Sequence, residues 1–159
     1  MVDTLESTIR RAKVWDLYAL RKVIVESVRA TNVGDYPAED IEHVIRTYSP
    51  LRALLMFAYY EMFVALVGKR VVGTATLDNA AIHAVFVAPD LQNKGIGRRL
   101  IRELECRARA RGTKSLKIES SITAERFYTK LGFVALGDHY RSRSKVRTIM
   151  MQRDLQESA

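Results

Sequence analysis

The composition is that of a soluble globular chain and argues against a disordered or disulfide-rich one. The 159 residues are 48% hydrophobic and 28% charged, enough apolar material for one sizeable core, so we predict a single domain over residues 1–159. The lone cysteine, Cys106, excludes an intramolecular disulfide and, with no signal-peptide pattern at the N-terminus, favours the cytoplasm. The formal net charge of +8 favours an anionic partner (a phosphorylated cofactor, a nucleic acid or a membrane surface) or reflects a basic solvated surface.

The first part of the chain predicts one strand followed by helices. Residues 8–14 alternate weakly, as a strand does, and Asp16 then resembles the N-cap of a helix that ends near residues 31–34. A second helix covers residues 37–50, because a proline and acidic residues open it and a Ser-Pro pair closes it. Residues 51–60 fit either a short helix or a packed loop. Charged residues interrupt the apolar run that includes them, so we expect no membrane-spanning helix.

The rest of the chain alternates strands with two further helices. We predict strands at residues 62–67, 70–77, 81–87, 115–119, 133–140 and 146–153, and helices at residues 97–111 and 122–131. The strand at 81–87 is apolar except for His83, as expected of a central strand that is covered on both faces. The strand–helix–strand order that follows implies a parallel pair with a right-handed crossover. Ser121 is placed to cap the last helix. The fold class is mixed α/β.

The most informative stretch runs from Val85 to Arg99, where an apolar strand passes through Pro89 and a polar loop into a helix. Gly95 and Gly97 lie where that helix begins, and glycine lets a ligand approach the backbone closely. A helix start also offers unpaired N–H groups and the positive end of the helix dipole, which favour phosphate. Basic side chains flank the glycines, namely Lys94, Arg98 and Arg99. This stretch therefore predicts an anion-binding loop.

Two sequence motifs lie where a predicted strand leads through a loop into a predicted helix. The first is Val87-Ala88-Pro89 followed by Gln-x-x-Gly-x-Gly over residues 92–97; the second, one strand later, covers residues 121–133 and contains Phe127-Tyr128 and Leu-Gly-Phe. The glycine pair is not a Walker loop, and it lacks the third glycine of a dinucleotide fold. Together and in this order, the motifs resemble the GNAT superfamily of acyl-CoA-dependent N-acetyltransferases. The resemblance covers essentially the whole chain, and residues 35–60 match least.

The resemblance implies a strongly twisted mixed sheet with helices on both faces, whose two central parallel strands splay apart and hold acyl-CoA. It implies that acetyl-CoA is the cosubstrate, that the backbone of Phe86 and Val87 pairs with the pantetheine amides, and that loop N–H groups hold the pyrophosphate. Ser121 would approach the cofactor as well. The predicted cofactor-binding residues are Val85, Phe86, Val87, Gln92, Asn93, Lys94, Gly95, Ile96, Gly97, Arg98, Ser121 and Tyr128.

The catalytic candidates are Tyr128 as acid and either His83 or Glu119 as base. When an amine attacks a thioester, the leaving thiolate must be protonated or stabilised, which a phenol can do; the resemblance places the usual acid at Tyr128. It also implies a carboxylate on the strand before the loop, but residues 80–84 contain none. His83 is the titratable group there, and Glu119 is its rival on the next strand. A water chain or an already neutral amine are further alternatives.

The acceptor amine is not specified by the sequence. The basic segment Arg141–Arg147 and the net charge keep a nucleic-acid-borne amine open as acceptor, and a non-catalytic CoA-binding module is a further alternative. Homodimers are common among domains of this family. No spacing of a metal site is present. Four aromatic residues either line the acceptor site or pack in the core, namely Phe57, Tyr59, Tyr60 and Tyr140.

Overall fold

The computed structural model describes residues 6–140 and 146–156. Strands β1 to β7 run over Thr8–Arg11, Glu61–Val67, Arg70–Asp78, Ala81–Val87, Ser115–Ser121, Val134–Tyr140 and Arg147–Asp154. Helices α1 to α5 run over Leu17–Thr31, Ala38–Thr47, Pro50–Tyr59, Ile96–Ala110 and Glu125–Lys130. The described strands form one mixed sheet in the order β1-β2-β3-β4-β5-β7-β6. The predicted mixed α/β fold is confirmed.

Helices cover both faces of the sheet, as expected. Along β2, Phe63 and Ala65 face the core under α4 and α5, whereas Met62 and Val64 face the core under α1 and α2. Gly73 on β3 permits the close approach of α4, since a Cβ there would lie 3.1 Å from a side-chain methyl of that helix. Both cores are apolar, so the sheet is the middle layer of three.

The segment at residues 51–60 is a helix, which resolves the ambiguity of the sequence. Pro50 occupies its first turn, where the missing N–H costs nothing, and the hydroxyl of Ser49 accepts the N–H of Arg52 at 3.3 Å. The Ser-Pro pair thus opens α3 rather than closing α2, which already ends at Thr47. Sequence periodicity alone missed this N-cap.

Asp16 has a different role from the predicted N-cap of α1, because its side chain makes no cap hydrogen bond to that helix. Its buried carboxylate accepts two hydrogen bonds from the Arg10 guanidinium at 2.7 and 3.0 Å and one from the N–H of Lys13 at 2.7 Å. The hydrogen bonds from Arg10 lower the pKa of Asp16, against the opposing effect of burial. Asp16 therefore fastens β1 to the turn that precedes α1.

The parallel strands β4 and β5 separate after a short contact. Their register includes Ala81 with Lys117 and Ile82 with Ile118, and no later pair. Beyond that point β5 continues along β7, while β4 continues along β3 through a β-bulge in which Ala84 has φ +52°. A bulge bends its strand and increases its twist. The central parallel strands are thus splayed, and the gap opens towards their carboxyl ends.

Candidate functional site

A cleft of about 1220 Å³ lies in the gap between β4 and β5. The loop after β4 and the first turn of α4 line one wall, the end of β5 and α5 line the other, and the connection between α1 and α2 lines a third side. All of the predicted cofactor-binding and catalytic residues line this one cleft. The structure therefore brings together residues that the sequence distributes from His83 to Tyr128.

The start of α4 has the backbone of an anion-binding turn. Asn93 and Gly95 have φ of +60° and +82°, and Gly95 is the N-cap residue. No side chain caps the helix and no acidic residue lies in its first turn. The first N–H groups of an α-helix have no acceptor within the helix, so they are available to an anion. Lys94 and Arg98 line the same end of the cleft and add positive charge.

Gly97 allows α4 to approach α5 closely. A Cβ at this position would lie 3.0 Å from Cζ and 3.3 Å from Cε2 of Phe127, and 3.7 Å from Cγ2 of Val87. Ordinary carbon contacts are about 3.5–4.0 Å. The absence of a side chain at Gly97 thus sets the width of the groove between the helix start and Phe127.

The side chain of Gln92 fastens the loop to the protein. Its amide donates to the carbonyl of Val87 at 3.1 Å and to the hydroxyl of Ser27 on α1 at 3.4 Å. A contact of Gln92 with an anion would therefore use its backbone N–H. Ser121 does not cap α5, which begins only at Glu125; its hydroxyl accepts the N–H of Ala124 at 3.2 Å in the preceding turn.

The end of β4 presents part of its backbone to the gap. Ala88 donates its N–H to the carbonyl of Val72 on β3 at 2.8 Å. Because hydrogen-bonded and non-hydrogen-bonded pairs alternate along an antiparallel ladder, Phe86 also bonds to β3, whereas the N–H of Val87 points into the gap. Phe86 therefore uses its backbone within the sheet, and the N–H of Val87 is the one of the two that faces the gap; the pairing of these residues with a ligand stays a prediction.

Tyr128 is held rigidly in the second wall of the cleft. It is 4% exposed, and its ring packs edge-on against Phe127 and Phe133 with centroids 4.9 and 5.7 Å away. Burial raises the pKa of Tyr128 well above its ordinary value, with a smaller contribution from the neighbouring Tyr48. The phenol is therefore neutral at physiological pH and can donate a hydrogen bond into the cleft.

The two candidate bases have different surroundings. His83 is exposed, although its strand was expected to be covered on both faces; its Nε2 lies 3.7 Å from Oδ2 of Asp78 and its ring centroid 6.1 Å from that of Tyr60. Glu119 is half-buried, and its Oε1 accepts the hydroxyl of Thr148 at 2.7 Å. Both side chains line the cleft, so geometry admits either as the group that takes a proton from an amine.

None of the four aromatic residues that would either line an acceptor site or pack in the core lines the cleft, namely Phe57, Tyr59, Tyr60 and Tyr140. Tyr59 and Tyr140 are exposed, and Phe57 packs against the core under α1 and α2. Tyr36 and Tyr48 line it instead, together with polar residues of the same region, namely Asn32 and Asp40. The sequence carried little signal for Tyr36, which lies in an aperiodic connection between two helices.

Several expectations about other partners remain predictions. Of the basic segment Arg141–Arg147, residues 141–145 lie outside the described residues, and Arg147 forms a bidentate ion pair with Asp138 at 3.0 and 3.1 Å. Within the described residues, no group of three or more His, Cys, Asp or Glu side chains could hold a metal ion. Among the helices described, none is both long enough and apolar enough to cross a membrane.

Comparison with solved structures shows the fold. A GCN5-related N-acetyltransferase from Rhodopseudomonas palustris is 24% identical over 92% of this chain and 94% of its own, with a TM-score of 0.88. The PaiA N-acetyltransferase from Thermoplasma acidophilum, solved in complex with coenzyme A, is 23% identical over 94% of this chain and 99% of its own, with a TM-score of 0.79. The yncA protein from Salmonella typhimurium, solved with its cofactor acetyl-CoA, is 24% identical over 97% of this chain and 96% of its own, with a TM-score of 0.65.

Comparison with family models reaches the same group of proteins. No curated protein sequence matches this chain. The model of the acetyltransferase (GNAT) domain matches residues 32–155, which include the whole loop after β4 and the whole of α5. The chain belongs to the GNAT family of acetyltransferases.

Proposed function

We propose that this single-domain protein transfers the acetyl group of acetyl-CoA to a primary amine by direct attack, with both substrates bound at once. The observation that carries the proposal is the cleft between β4 and β5, which has an uncapped helix start on one wall and the phenol of Tyr128 on the other. Two structural neighbours were solved with coenzyme A or acetyl-CoA. When bound, acetyl-CoA supplies an activated thioester.

The residues of the loop fit the charged part of that cosubstrate. The first-turn N–H groups of α4 and the side chains of Lys94 and Arg98 are suited to a pyrophosphate, and Gly95 and Gly97 keep the approach free of side chains. The N–H of Val87 faces the gap and can pair with an amide of the pantetheine arm or polarise the thioester carbonyl. These groups hold the cosubstrate in place while the amine enters from the side of Tyr36 and Tyr48.

Tyr128 stabilises the leaving sulfur. A free thiol has a pKa of about 8.5, and the raised pKa of Tyr128 keeps its phenol protonated at pH values just above it, where the thiol is already ionised. Proton transfer from such a phenol is uphill, so donation of a hydrogen bond is its main contribution, and desolvation of the thiolate in the cleft strengthens that bond. The T-shaped contacts with Phe127 and Phe133 hold the ring in place for this role.

His83 or Glu119 takes the proton of the incoming ammonium, directly or through water. The His83→Gln and Glu119→Gln variants distinguish them. The variant that removes the base loses the ascending limb of the profile of kcat/KM against pH, whereas the other variant keeps it. Cytoplasmic location and homodimer formation remain predictions of this proposal.

A thiol-release screen tests the proposed reaction. Purified protein and acetyl-CoA are mixed with polyamines, aminoglycosides, amino acids, peptides with free α-amines and aminoacyl-tRNA, and free coenzyme A is measured. We expect thiol release that depends on one of the small-molecule or peptide amines. Release only with aminoacyl-tRNA would replace the proposed acceptor class by a nucleic-acid-linked amine. Binding of acetyl-CoA without release for any amine would favour a non-catalytic module.

A further inference from the structure

The connection between α1 and α2 forms hydrogen bonds to the opposite side of the cleft. The phenol of Tyr36 donates to the carbonyl of Arg147 at 2.8 Å and accepts the N–H of Ile122 at 2.9 Å. Beside it, the hydroxyl of Thr123 donates to Oδ2 of Asp35 at 2.7 Å. Two neighbouring residues of the connection thus contact two neighbouring residues after β5. We call these contacts the Tyr36 bridge.

The bridge crosses the gap that the splayed strands open. Helix α1, which precedes Asp35, packs on β3 and β4. Ile122 and Thr123 follow β5, and Arg147 begins β7, so all three lie on the far side of the gap. Because β4 and β5 share no register pair beyond Ile82 and Ile118, the sheet itself does not fix the distance between the two walls at this level. The bridge supplies a direct connection there.

Each residue that is hydrogen-bonded to Tyr36 is close in sequence to a residue that contacts or carries a candidate catalytic side chain. Arg147 adjoins Thr148, whose hydroxyl donates to Glu119 at 2.7 Å and to the carbonyl of His139. Ile122 begins the turn into α5, which carries Tyr128. Tyr36 also lines the cleft itself. A single phenol therefore connects the segments that hold Glu119 and Tyr128 to the wall on which the connection lies.

We propose that Tyr36 is a positioning residue for the acceptor half of the site, an inference that rests on the proposed acetyl transfer. It keeps the wall that carries Glu119 and Tyr128 at the distance from the opposite wall that a bound amine requires. The contacts that hold the anion-binding loop, those of Gln92 with Val87 and Ser27, do not involve the bridge. Loss of the phenol hydroxyl therefore affects the use of the amine and leaves the binding of acetyl-CoA unchanged.

The test compares Tyr36→Phe with Tyr18→Phe, a matched control on the 85% exposed Tyr18 of α1. Kinetics use the amine that the wild type acetylates fastest in the thiol-release screen, and calorimetry gives the Kd of acetyl-CoA. We expect Tyr36→Phe to lower kcat/KM for the amine by about tenfold, the equivalent of one or two hydrogen bonds, with the Kd within about twofold of wild type. A parallel loss of acetyl-CoA affinity, or wild-type kinetics, would overturn the proposal.

A double-mutant cycle with Thr148→Val examines the route to Glu119. If Tyr36 acts through Thr148, the effect of Tyr36→Phe on kcat/KM is smaller in the Thr148→Val background than in the wild type. Equal effects in the two backgrounds would show that Tyr36 does not position Glu119 by this route, and would contradict the proposal. A merely structural role would lower the melting temperature without this coupling.

Hydrogen exchange separates the bridge from the proposed reaction. In Tyr36→Phe, but not in Tyr18→Phe, we expect the amides of residues 119–125 to exchange faster by about tenfold, since the N–H of Ile122 loses its acceptor. Unchanged exchange there would overturn the bridge. If the wild type acetylates no amine, the proposed function fails, and exchange alone then decides: faster exchange supports the bridge and unchanged exchange removes it.

Discussion

The Gly97→Ala substitution tests whether the width of the groove beside α4 governs cofactor binding. A methyl group at this position would be placed 3.0 Å from Cζ of Phe127 and 3.7 Å from Cγ2 of Val87. The closer contact is shorter than the usual carbon–carbon distance by about 0.5–1 Å. The ring of Phe127 must therefore move, and it packs edge-on against Tyr128 at 4.9 Å.

The two expected effects on stability oppose each other, so binding of acetyl-CoA is the more informative measurement. Overpacking costs about 1–3 kcal/mol, and alanine in place of glycine stabilises a helix by up to about 1 kcal/mol. The net loss is then about 0–3 kcal/mol, or a fall in melting temperature of at most about 12 °C for a domain of this size. Because Phe127 and Val87 both line the cleft, the added methyl group and the displaced ring change the shape of the groove that acetyl-CoA would occupy.

Calorimetric titration with acetyl-CoA measures the predicted effect. We expect the Kd for Gly97→Ala to rise at least about tenfold, or about 1.4 kcal/mol. Gly34→Ala is the matched control, because nothing lies within 4 Å of a Cβ at Gly34 and no left-handed φ is involved; its Kd should match the wild type. An unchanged Kd for a folded Gly97→Ala variant would refute the assignment of this groove to the cofactor.

Three further predictions concern single residues. Gly95→Ala should lose about 1–2 kcal/mol of stability in urea unfolding, because the left-handed φ of +82° penalises a side chain although no atom lies within 4 Å; unchanged stability would contradict that explanation. Burial raises the pKa of Tyr128, so the contribution of this phenol to stability is complete below the unfolded pKa of about 10 and is lost as pH rises above that value. Between pH 8 and pH 11, the free energy of unfolding should therefore decline less for Tyr128→Phe than for wild type. Arg10 lowers the pKa of Asp16, so the stabilising contribution of the Asp16 carboxylate is present above the unfolded pKa of about 3.9 and is lost as pH falls below it. The difference in melting temperature between wild type and Asp16→Asn should therefore shrink from pH 7 to pH 3. A constant difference would exclude this linkage.

The geometry of the loop at the start of α4 could be predicted because its signals are local in sequence. The loop over residues 92–97 needs particular φ values and close backbone approach, and these requirements select glycine at fixed positions. The spacing of hydrophobic residues predicted the helices and strands because it is also a local signal: each element buries one face, so apolar residues recur at a fixed interval along it. The exposure of His83 could not be predicted from the sequence. A strand that borders the gap between splayed strands has the same apolar pattern as a strand that is buried on both faces.

The contacts of Tyr36 across the cleft could not be predicted because they are long-range. Tyr36 meets Ile122 and Arg147 across 86 and 111 residues, and nothing in its local sequence marks such a partner. For Asp16 the local sequence suggested a role that the structure does not show. The sequence pattern is that of an N-cap, but the carboxylate accepts hydrogen bonds from Arg10 instead. Local propensity indicates which hydrogen bonds a polar side chain can make with its own segment. The folded structure determines whether the side chain makes those bonds or bonds to another group instead.

Acetyl transfer is tested most directly by product analysis with mass spectrometry under saturating acetyl-CoA, using the best amine of the screen and comparing wild type with Tyr128→Phe. We expect one N-acetylated amine for each thiol released by the wild type. We expect a turnover at least about tenfold lower for Tyr128→Phe, while the Kd of acetyl-CoA is unchanged. Binding of acetyl-CoA without any acetylated amine, or full turnover by Tyr128→Phe, would contradict the proposed reaction.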